Sequence, residues 1–297
     1  MPSVHESPPV KVSVIIPHYN DLAALELCLA ALGRQTFPAE DTEIVVADNG
    51  SPQGEAAVQG AIAGRARLVT VRQRGAGPAR NGGAAASTGE ILAFIDSDCV
   101  PHERWLESGI AALSRCDFAG GGIEVLTRSA EGMSATEAFE RVFAFDAESY
   151  VLKKGFAPSG NLFCPRKVFE AVNGFGTGVS EDVDWSRRAI ALNFRLGYAP
   201  DALVGHPARR TWEELRHKWV RINAETYALA SRERHGRIKW LLRTLALPLS
   251  AVAHSGKAIR SRRIAGIRQR FGALAILYRL RFWRMFNAMG LLAGRGA

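Results

Sequence analysis

The chain has 297 residues, 47% hydrophobic and 23% charged, a composition that excludes a disordered polymer and allows one large domain with an appendage, or two small domains. Its formal net charge of +9 is unevenly held: from Arg234 onward lie 14 of the 38 Lys and Arg and none of the 29 acids, so the first 233 residues carry −5, an acidic body with a basic tail. The four cysteines (Cys28, Cys99, Cys116, Cys164) form no CxxC pair and no zinc-finger spacing, so a reducing compartment is expected.

Residues 1–11 carry no basic-then-apolar signal pattern and read as a disordered leader. Val12 to Pro17 is a first buried strand, stopped by Pro17, with His18, Tyr19 and Asn20 in the turn. Asp21 caps a helix whose stripe is Leu22, Leu25, Leu29 and Leu32. Glu43 to Ala47 is a second strand, ending in the turn cluster Asp48, Asn49, Gly50 and Ser51. Arg67 to Val71 is a third. The glycine-rich segment Gly75 to Gly83 then leads into a helix whose amino end is suited to phosphate. Arg72, Arg74 and Arg80 either offer guanidinium groups to phosphate or base, or are solvated.

Ile91 to Ile95 is a continuous apolar run, as in a strand covered on both faces, and Asp96 and Asp98 follow at once. Two carboxylates at the end of a buried strand require compensation, and hard oxygen donors suit Mg2+ or Mn2+. Further along, His102 to Leu113 reads as a helix, Phe118 to Leu126 as a strand and Ser134 to Phe145 as a helix. Gly160 to Cys164 is a short strand and Arg166 to Val172 a short helix. Ser180 caps a helix opened by Glu181 and Asp182, with Trp185, Ala189 and Leu192 on one face; acids in a first turn also simply favour the helix dipole. Alternating strands and helices indicate a mostly parallel sheet with helices on both faces. The carboxyl ends of such strands share one edge, so residues 18–20, 48–51 and 96–98 are expected to line one crevice.

In the tail, Trp212, Leu215, Trp219, Ile222 and Thr226 fall at helical spacing, predicting a helix from Thr211 to about Arg234 packed on the catalytic body. Ile238 to Val252 is apolar but holds Lys239, Arg243 and Pro248, and its uncharged run, Thr244 to Gly256, is 13 residues, short of the ~20 that span a bilayer. Beyond it, Phe271, Ala275, Tyr278, Phe282, Met285 and Met289 share one helical face, with Arg268, Arg270, Arg279, Arg281 and Arg284 on the flanks and back. This is the pattern of a helix lying in an anionic membrane interface; the alternative is a helix packed on protein with a solvated basic face.

VSVIIPHYN, VVADNGS, GPARNGGAAASTGEILAFIDSD, GNLFCPRKVFEAVNGFG and SEDVDWSRR occur in an order and spacing that resemble family-two glycosyltransferases, over roughly Val12 to His206. The resemblance implies an α/β fold of GT-A type: a Rossmann-like mixed sheet flanked by helices, with a helical basic appendage. Residues 12–210 would be the catalytic domain, with a nucleotide half at about 12–100 and an acceptor half at about 101–210. Residues 211–297 would be a membrane-associated helical region. It implies an inverting, metal-dependent transfer of a sugar from a nucleoside-diphosphate donor to a hydroxyl of a saccharide or lipid-linked acceptor. Cell-surface polysaccharide or glycolipid synthesis is the expected setting, on the cytoplasmic face of the cell membrane.

By position, Asp48 resembles the acid that binds the nucleobase, and Pro17, Tyr19 and Asn20 match the loop that cradles the nucleotide. Arg80 joins them as a donor-binding residue. Asp98 matches the acid that holds Mg2+ or Mn2+ on the diphosphate. Asp96 resembles a contact to ribose or sugar and is a second possible ligand, and His206 is placed like a further metal or diphosphate ligand in some relatives. Asn161 and Glu181 match substrate-side residues, and Asp182 matches the catalytic base. RRTW (209–212) and HKW (217–219) stand where processive relatives carry QxxRW, so transfer of a single sugar is expected. A sugar-nucleotide nucleotidyltransferase is the alternative enzyme, although VSVIIPHYN lacks its glycine-rich basic loop. A non-catalytic protein binding nucleic acid or membrane through the tail is the other, with nucleic acid not expected as a partner.

Overall fold

In the computed structural model, which describes residues 11–129, 132–177 and 180–294, alternation along the central strands sorts the core into two layers. Residues 1–10 of the expected leader lie outside the described residues. On strand β1 (Val12–His18), Val12, Val14 and Ile16 face a cluster with Leu25 and Leu29 of helix α1 (Leu22–Leu32), while Ile15 faces the opposite layer. The Asp21 carboxylate caps α1 by accepting from the Ala24 N–H at 3.1 Å. Strand β2 (Thr42–Asp48), helix α2 (Glu55–Ile62), strand β3 (Arg67–Thr70), helix α3 (Ala76–Ala86) and strand β4 (Ile91–Ile95) complete an alternating half. On β4, Ile91, Ala93 and Ile95 join the α1 layer, and Leu92 and Phe94 the other. The expected two-sided covering of this strand is what the structure has.

The second half brings β5 (Val100–Pro101), α4 (Trp105–Ala112), β6 (Phe118–Leu126), α5 (Ala135–Phe143) and α6 (Ala147–Leu152). After these come β7 (Asn161–Pro165), α7 (Arg166–Ala171), α8 (Glu181–Ala191) and β8 (Leu196–Pro207). The sheet has eight strands in the order β3-β2-β1-β4-β7-β6-β8-β5. β3, β2, β1 and β4 are parallel; β7 pairs antiparallel with β4 and with β6, and β5 antiparallel with β8. The sheet is therefore mixed, with a parallel run of four strands at one side and β7 antiparallel between β4 and β6.

Glycines of GPARNGG set the distance between helix and sheet. A Cβ on Gly83 would come within 2.7 Å of Ile15 Cγ2, so only glycine lets α3 lie this close to β1. Across the other half, Asn161 is 0% exposed and ties three elements together. Its Oδ1 accepts from Trp105 Nε1 at 2.9 Å, and its Nδ2 donates to the carbonyls of Gly122 and Ala202, both at 2.8 Å.

The described residues form two compact units: 11–123, 147–177 and 181–205 in one, and 124–129, 132–146, 180 and 206–294 in the other. The second unit is helical apart from the strand ends that enter it, with α9 (Trp212–Ala230), α10 (Gly236–Leu245), α11 (Leu247–Arg260) and α12 (Gly266–Leu292) joining α5. α5 starts with a reciprocal cap, the Glu137 N–H donating to Ser134 Oγ and the Ser134 N–H to Glu137 Oε2. The predicted tail helix is α9; its Leu215 enters a core with Phe139 and Val142 of α5, Ala251 of α11, and Leu277 and Leu280 of α12. Glu140, buried in α5, accepts from the backbone N–H of Arg209 at 2.7 Å and from Lys218 Nζ at 3.0 Å. The apolar stretch around Pro248 breaks at Ala246 into α10 and α11, and among the described residues no helix is long and apolar enough to cross a membrane.

α12 presents two apolar faces. Ala273, Ile276, Leu277, Leu280 and Ala288 are buried, whereas Phe271 (65% exposed), Phe282, Phe286 (68%) and Met289 lie uncovered on the opposite side. The flanking arginines are not all turned outward, as the spacing had implied. Arg284 is 4% exposed, Arg279 stacks on Trp212 at 4.1 Å, and Arg270 donates to the carbonyls of Ala258 and Ile259 at the end of α11.

Replacing Asn161 by Ala leaves the Trp105 indole N–H and two buried carbonyls unpaired. We expect a loss of about 3 kcal/mol or more in urea unfolding, with no change in secondary structure by circular dichroism.

Candidate active site

The acids gathered at the carboxyl edge of the parallel half are organised by one arginine. Arg80, on α3, is 3% exposed and bridges two carboxylates, with Nη2 at 2.5 Å from Asp96 Oδ1 and Nη1 at 2.9 Å from Glu181 Oε1. Its guanidinium lies over the Phe175 ring at 5.8 Å, and its Nε is buried without a protein partner. Of the three arginines read as candidates in this stretch, Arg80 is the buried one, while Arg72 and Arg74 are exposed.

Asp96 sits directly after β4, where alternation continues the face of Leu92 and Phe94, the layer that includes Ala84 of α3 and Trp185 of α8. The chain crosses close beside it at Gly160: a Cβ there would stand 2.4 Å from Asp96 Oδ2, so glycine is required for the acid to keep its place. Glu181 opens α8, which Trp185 anchors among Phe118, Phe169 and Phe175. Asn81, next to Arg80, clamps the approach to α8, its Nδ2 donating to the Phe175 carbonyl at 2.9 Å and its Oδ1 accepting the Phe175 N–H at 2.8 Å.

Asp182 follows Glu181 and is half-buried. Burial and the adjacent Glu181 charge push its carboxyl up to about 6, against the weaker opposing pull of the Val183 N–H and Arg80. Asp98 lies in the turn after β4, also half-buried. Burial, together with the charges of Asp96 and Asp98, raises the Cys28 and Cys99 thiols well above their ordinary range, so they stay protonated. The donors this turn offers are carboxylate oxygens, which fit Mg2+ or Mn2+ rather than a thiolate-bound metal.

Asp48 ends β2 in register with His18 at the end of β1. Its carboxylate accepts from the N–H groups of Gly50 and Ser51, both at 3.1 Å, and from Ser51 Oγ at 2.5 Å. Ser51 Oγ in turn accepts the Asn20 N–H at 2.9 Å, so the β1 and β2 turns are built as one piece. Asn20 takes a positive φ of 61°, and the Tyr19 ring beside it is 58% exposed. Pro17 remains inside the strand. Asn49 holds the next loop: its Nδ2 donates to the Val71 and Gln73 carbonyls, and its Oδ1 accepts the N–H of Gly75, the cap of α3. His18 is buried with neither ring nitrogen partnered, and burial lowers its pKa against the opposing charges of Asp48 and Asp21.

Two further predicted residues have the following surroundings. Asn161 is the buried tie described above, inside the sheet. His206 closes β8, its Nδ1 2.8 Å from the Pro207 carbonyl and its ring 4.3 Å from that of Phe145. A carbonyl only accepts, so Nδ1 donates in this bond, and in the neutral ring Nε2 is then the nitrogen able to ligate a metal. Asn49 was expected only as a member of the turn cluster, and Asn81 was not singled out. The one signal for them was an Asn directly after each predicted site residue, Asp48 and Arg80.

A parallel half-sheet with acids at its carboxyl edge, joined through an antiparallel strand to a second half, is the GT-A architecture of sugar-transferring enzymes. The chain belongs to glycosyltransferase family 2: the family described as Glycosyl transferase family 2 matches residues 13–170. It is 36% identical over 216 residues to glycosyltransferase AglE of Haloferax volcanii, covering 70% of each chain. It is 30% identical to the pre-mycofactocin glycosyltransferase of Mycobacterium tuberculosis over 68% of this chain and 44% of that one, so it spans less than half of that relative. In fold it is similar to mannosyltransferase PcManGT from Pyrobaculum calidifontis in complex with GDP-Man and Mn2+, with a TM-score of 0.59 and 21% identity, over 97% of this chain and 88% of that one. It is also similar to S. aureus TarS 1-349 in complex with UDP-GlcNAc, with a TM-score of 0.55 and 16% identity, over 97% and 82%. The protein is a glycosyltransferase of GT-A fold.

Removing the arginine leaves two crowded carboxylates without their cation. Arg80→Gln is expected to lower stability at neutral pH by about 3 kcal/mol or more in urea unfolding, the scale for breaking a buried ion pair from one side.

Proposed function

We propose that this enzyme transfers a single sugar, with inversion, from a nucleoside-diphosphate donor to an acceptor hydroxyl, and that Asp182 is the base. The observation that carries the reading is the division of labour between neighbouring acids. Arg80 holds Glu181, while Asp182 stays half-buried with its carboxyl pushed up to about 6, close to the pH at which a base must work. Asp48 and the turn of Pro17, Tyr19 and Asn20 cradle the nucleotide, with the exposed Tyr19 ring offering a stacking face. Arg80 keeps Asp96 in place for ribose or sugar.

Asp98 would hold Mg2+ or Mn2+, with Asp96 as a second ligand and His206 as a further one. When bound there, such an ion would supply positive charge opposite the departing diphosphate. Asp182 takes the acceptor hydroxyl proton as that oxygen bonds to the anomeric carbon; the bond from that carbon to the diphosphate oxygen breaks, and the nucleoside diphosphate leaves with the electron pair. An α-linked donor then gives a β-linked product. The GDP-Man and UDP-GlcNAc bound by the two structural relatives support this donor class. Asn161 serves as a positioning residue, since its side chain is spent on the protein.

The acceptor is a saccharide or a lipid-linked sugar of cell-surface polysaccharide or glycolipid synthesis. The helical tail rests on the cytoplasmic face of the cell membrane. The uncovered stripe of Phe271, Phe282, Phe286 and Met289, in a region with 14 basic and no acidic residues, matches an anionic lipid surface.

The test is kinetic. Transfer by the native enzyme is expected to rise with pH through about 6 and to level off above it, as the Asp182 carboxylate forms. Asp182→Asn should remove that limb and lower kcat by about 10²-fold or more, with donor affinity unchanged in calorimetry. An equal loss of donor affinity assigns Asp182 to the donor instead.

A further inference from the structure

Among the described residues of the helical unit, three arginines come together, none of them with an ion pair to an acid. Arg284, on the packed face of α12, gives its Nε to Asn223 Oδ1 at 3.2 Å and lies over the Trp219 ring at 3.7 Å. Asn223 is itself buried and oriented by Asn287, to which its Nδ2 donates at 2.8 Å. One turn back, the Nε of Arg281 is buried with no hydrogen-bond partner. Arg243 approaches from α10, its guanidinium 5.5 Å from the Trp240 ring, and that indole is pinned to α12 by its bond to the Ala288 carbonyl.

Burial depresses the pKa of all three; Arg243 depresses it further in Arg281, and Arg281 and Arg243 do so in Arg284, with no carboxylate among the causes. Guanidinium groups do not give up their protons at physiological pH. Three such groups, one fully buried and another with an orphaned N–H, form a fixed positive field that lacks its anion.

We propose that Arg243, Arg281 and Arg284 form a binding site for a phosphoryl group, built between α10 and α12. The forked donors of arginine match phosphate oxygens in pairs, and three of them suit a phosphate mono- or diester better than a single carboxylate. Arg243 is exposed, so the site opens to solvent on the α10 side. The proposal goes beyond sugar transfer and does not depend on it.

The test uses the full chain and two probes. In sodium phosphate, against sodium chloride of equal ionic strength, the native Tm should rise by on the order of 3 °C. Arg281→Gln and Arg243→Gln should each lose that increment, while their Tm in chloride stays at or above the native value because a repulsion is gone. Flotation with phosphatidylglycerol vesicles, against phosphatidylcholine vesicles, separates the sources. A lipid headgroup is the ligand if the variants float less than the native protein on phosphatidylglycerol; a soluble phosphoryl compound is the ligand if only the phosphate increment is lost. No phosphate-specific increment in the native protein together with equal flotation of all three proteins overturns the proposal, as does an equal increment in all three. Since neither readout involves turnover, this failure is separate from failure of the transfer reading.

Discussion

The site depends on the bond Arg80 makes to Asp96 and Glu181. The sheet delivers Asp96 to the end of a strand covered on both faces, and α8 brings Glu181 in from a distant part of the chain. Neither acid is stable there without a cation, and Arg80, buried against Phe175, supplies it. The close approach that makes this possible is prepared by small residues, Gly83 letting α3 down onto β1 and Gly160 making room beside Asp96. The same bond sorts the acid pair at the start of α8: Glu181 is held by the guanidinium, and Asp182, next in sequence, keeps a raised pKa. Environments that separate the behaviour of neighbouring carboxylates are how one site assigns them different roles.

Much of the first half was legible because alternation and apolar runs have a single physical solution. Ile91 to Ile95 had to be covered on both faces, and Asp96 had to follow at the carboxyl edge. The second half was less so. β8 contains Pro200 and two glycines and lacks a clean period-two pattern, and β5 is two residues long and exists through its pairing with β8. The glycines of GPARNGG looked like a phosphate loop, yet at Gly83 the absent side chain serves packing. Residue type and spacing alone do not separate Arg80 from Arg72 or Arg74; what distinguishes it in the structure is the pair of acids brought by β4 and α8. Asn49, Asn81 and Asn161 work through hydrogen bonds to partners far along the chain, which no local pattern reveals.

The tail shows how a one-dimensional pattern can hide two surfaces. The stripe from Phe271 to Met289 was visible at helical spacing, and the structure leaves most of it uncovered. The packed face of Ala273, Leu277 and Leu280 lies opposite, so both ways of reading the helix hold on different sides. The arginines divide accordingly: Arg270 and Arg279 are used by the fold, and Arg281 and Arg284 are drawn into the interior, where a basic residue calls for a partner.

The central claim is that the acids at this sheet edge form a metal-assisted site for a nucleoside-diphosphate sugar. Its most direct measurement is chromatographic release of nucleoside diphosphate from a panel of UDP- and GDP-sugars, with Mn2+ or with chelator, by the native chain and by Asp98→Ala. The account predicts release from at least one donor that needs the metal and is lost in the variant, with the variant folded as judged by its unfolding curve. Release that persists in chelator, or in Asp98→Ala at the native rate, would contradict it.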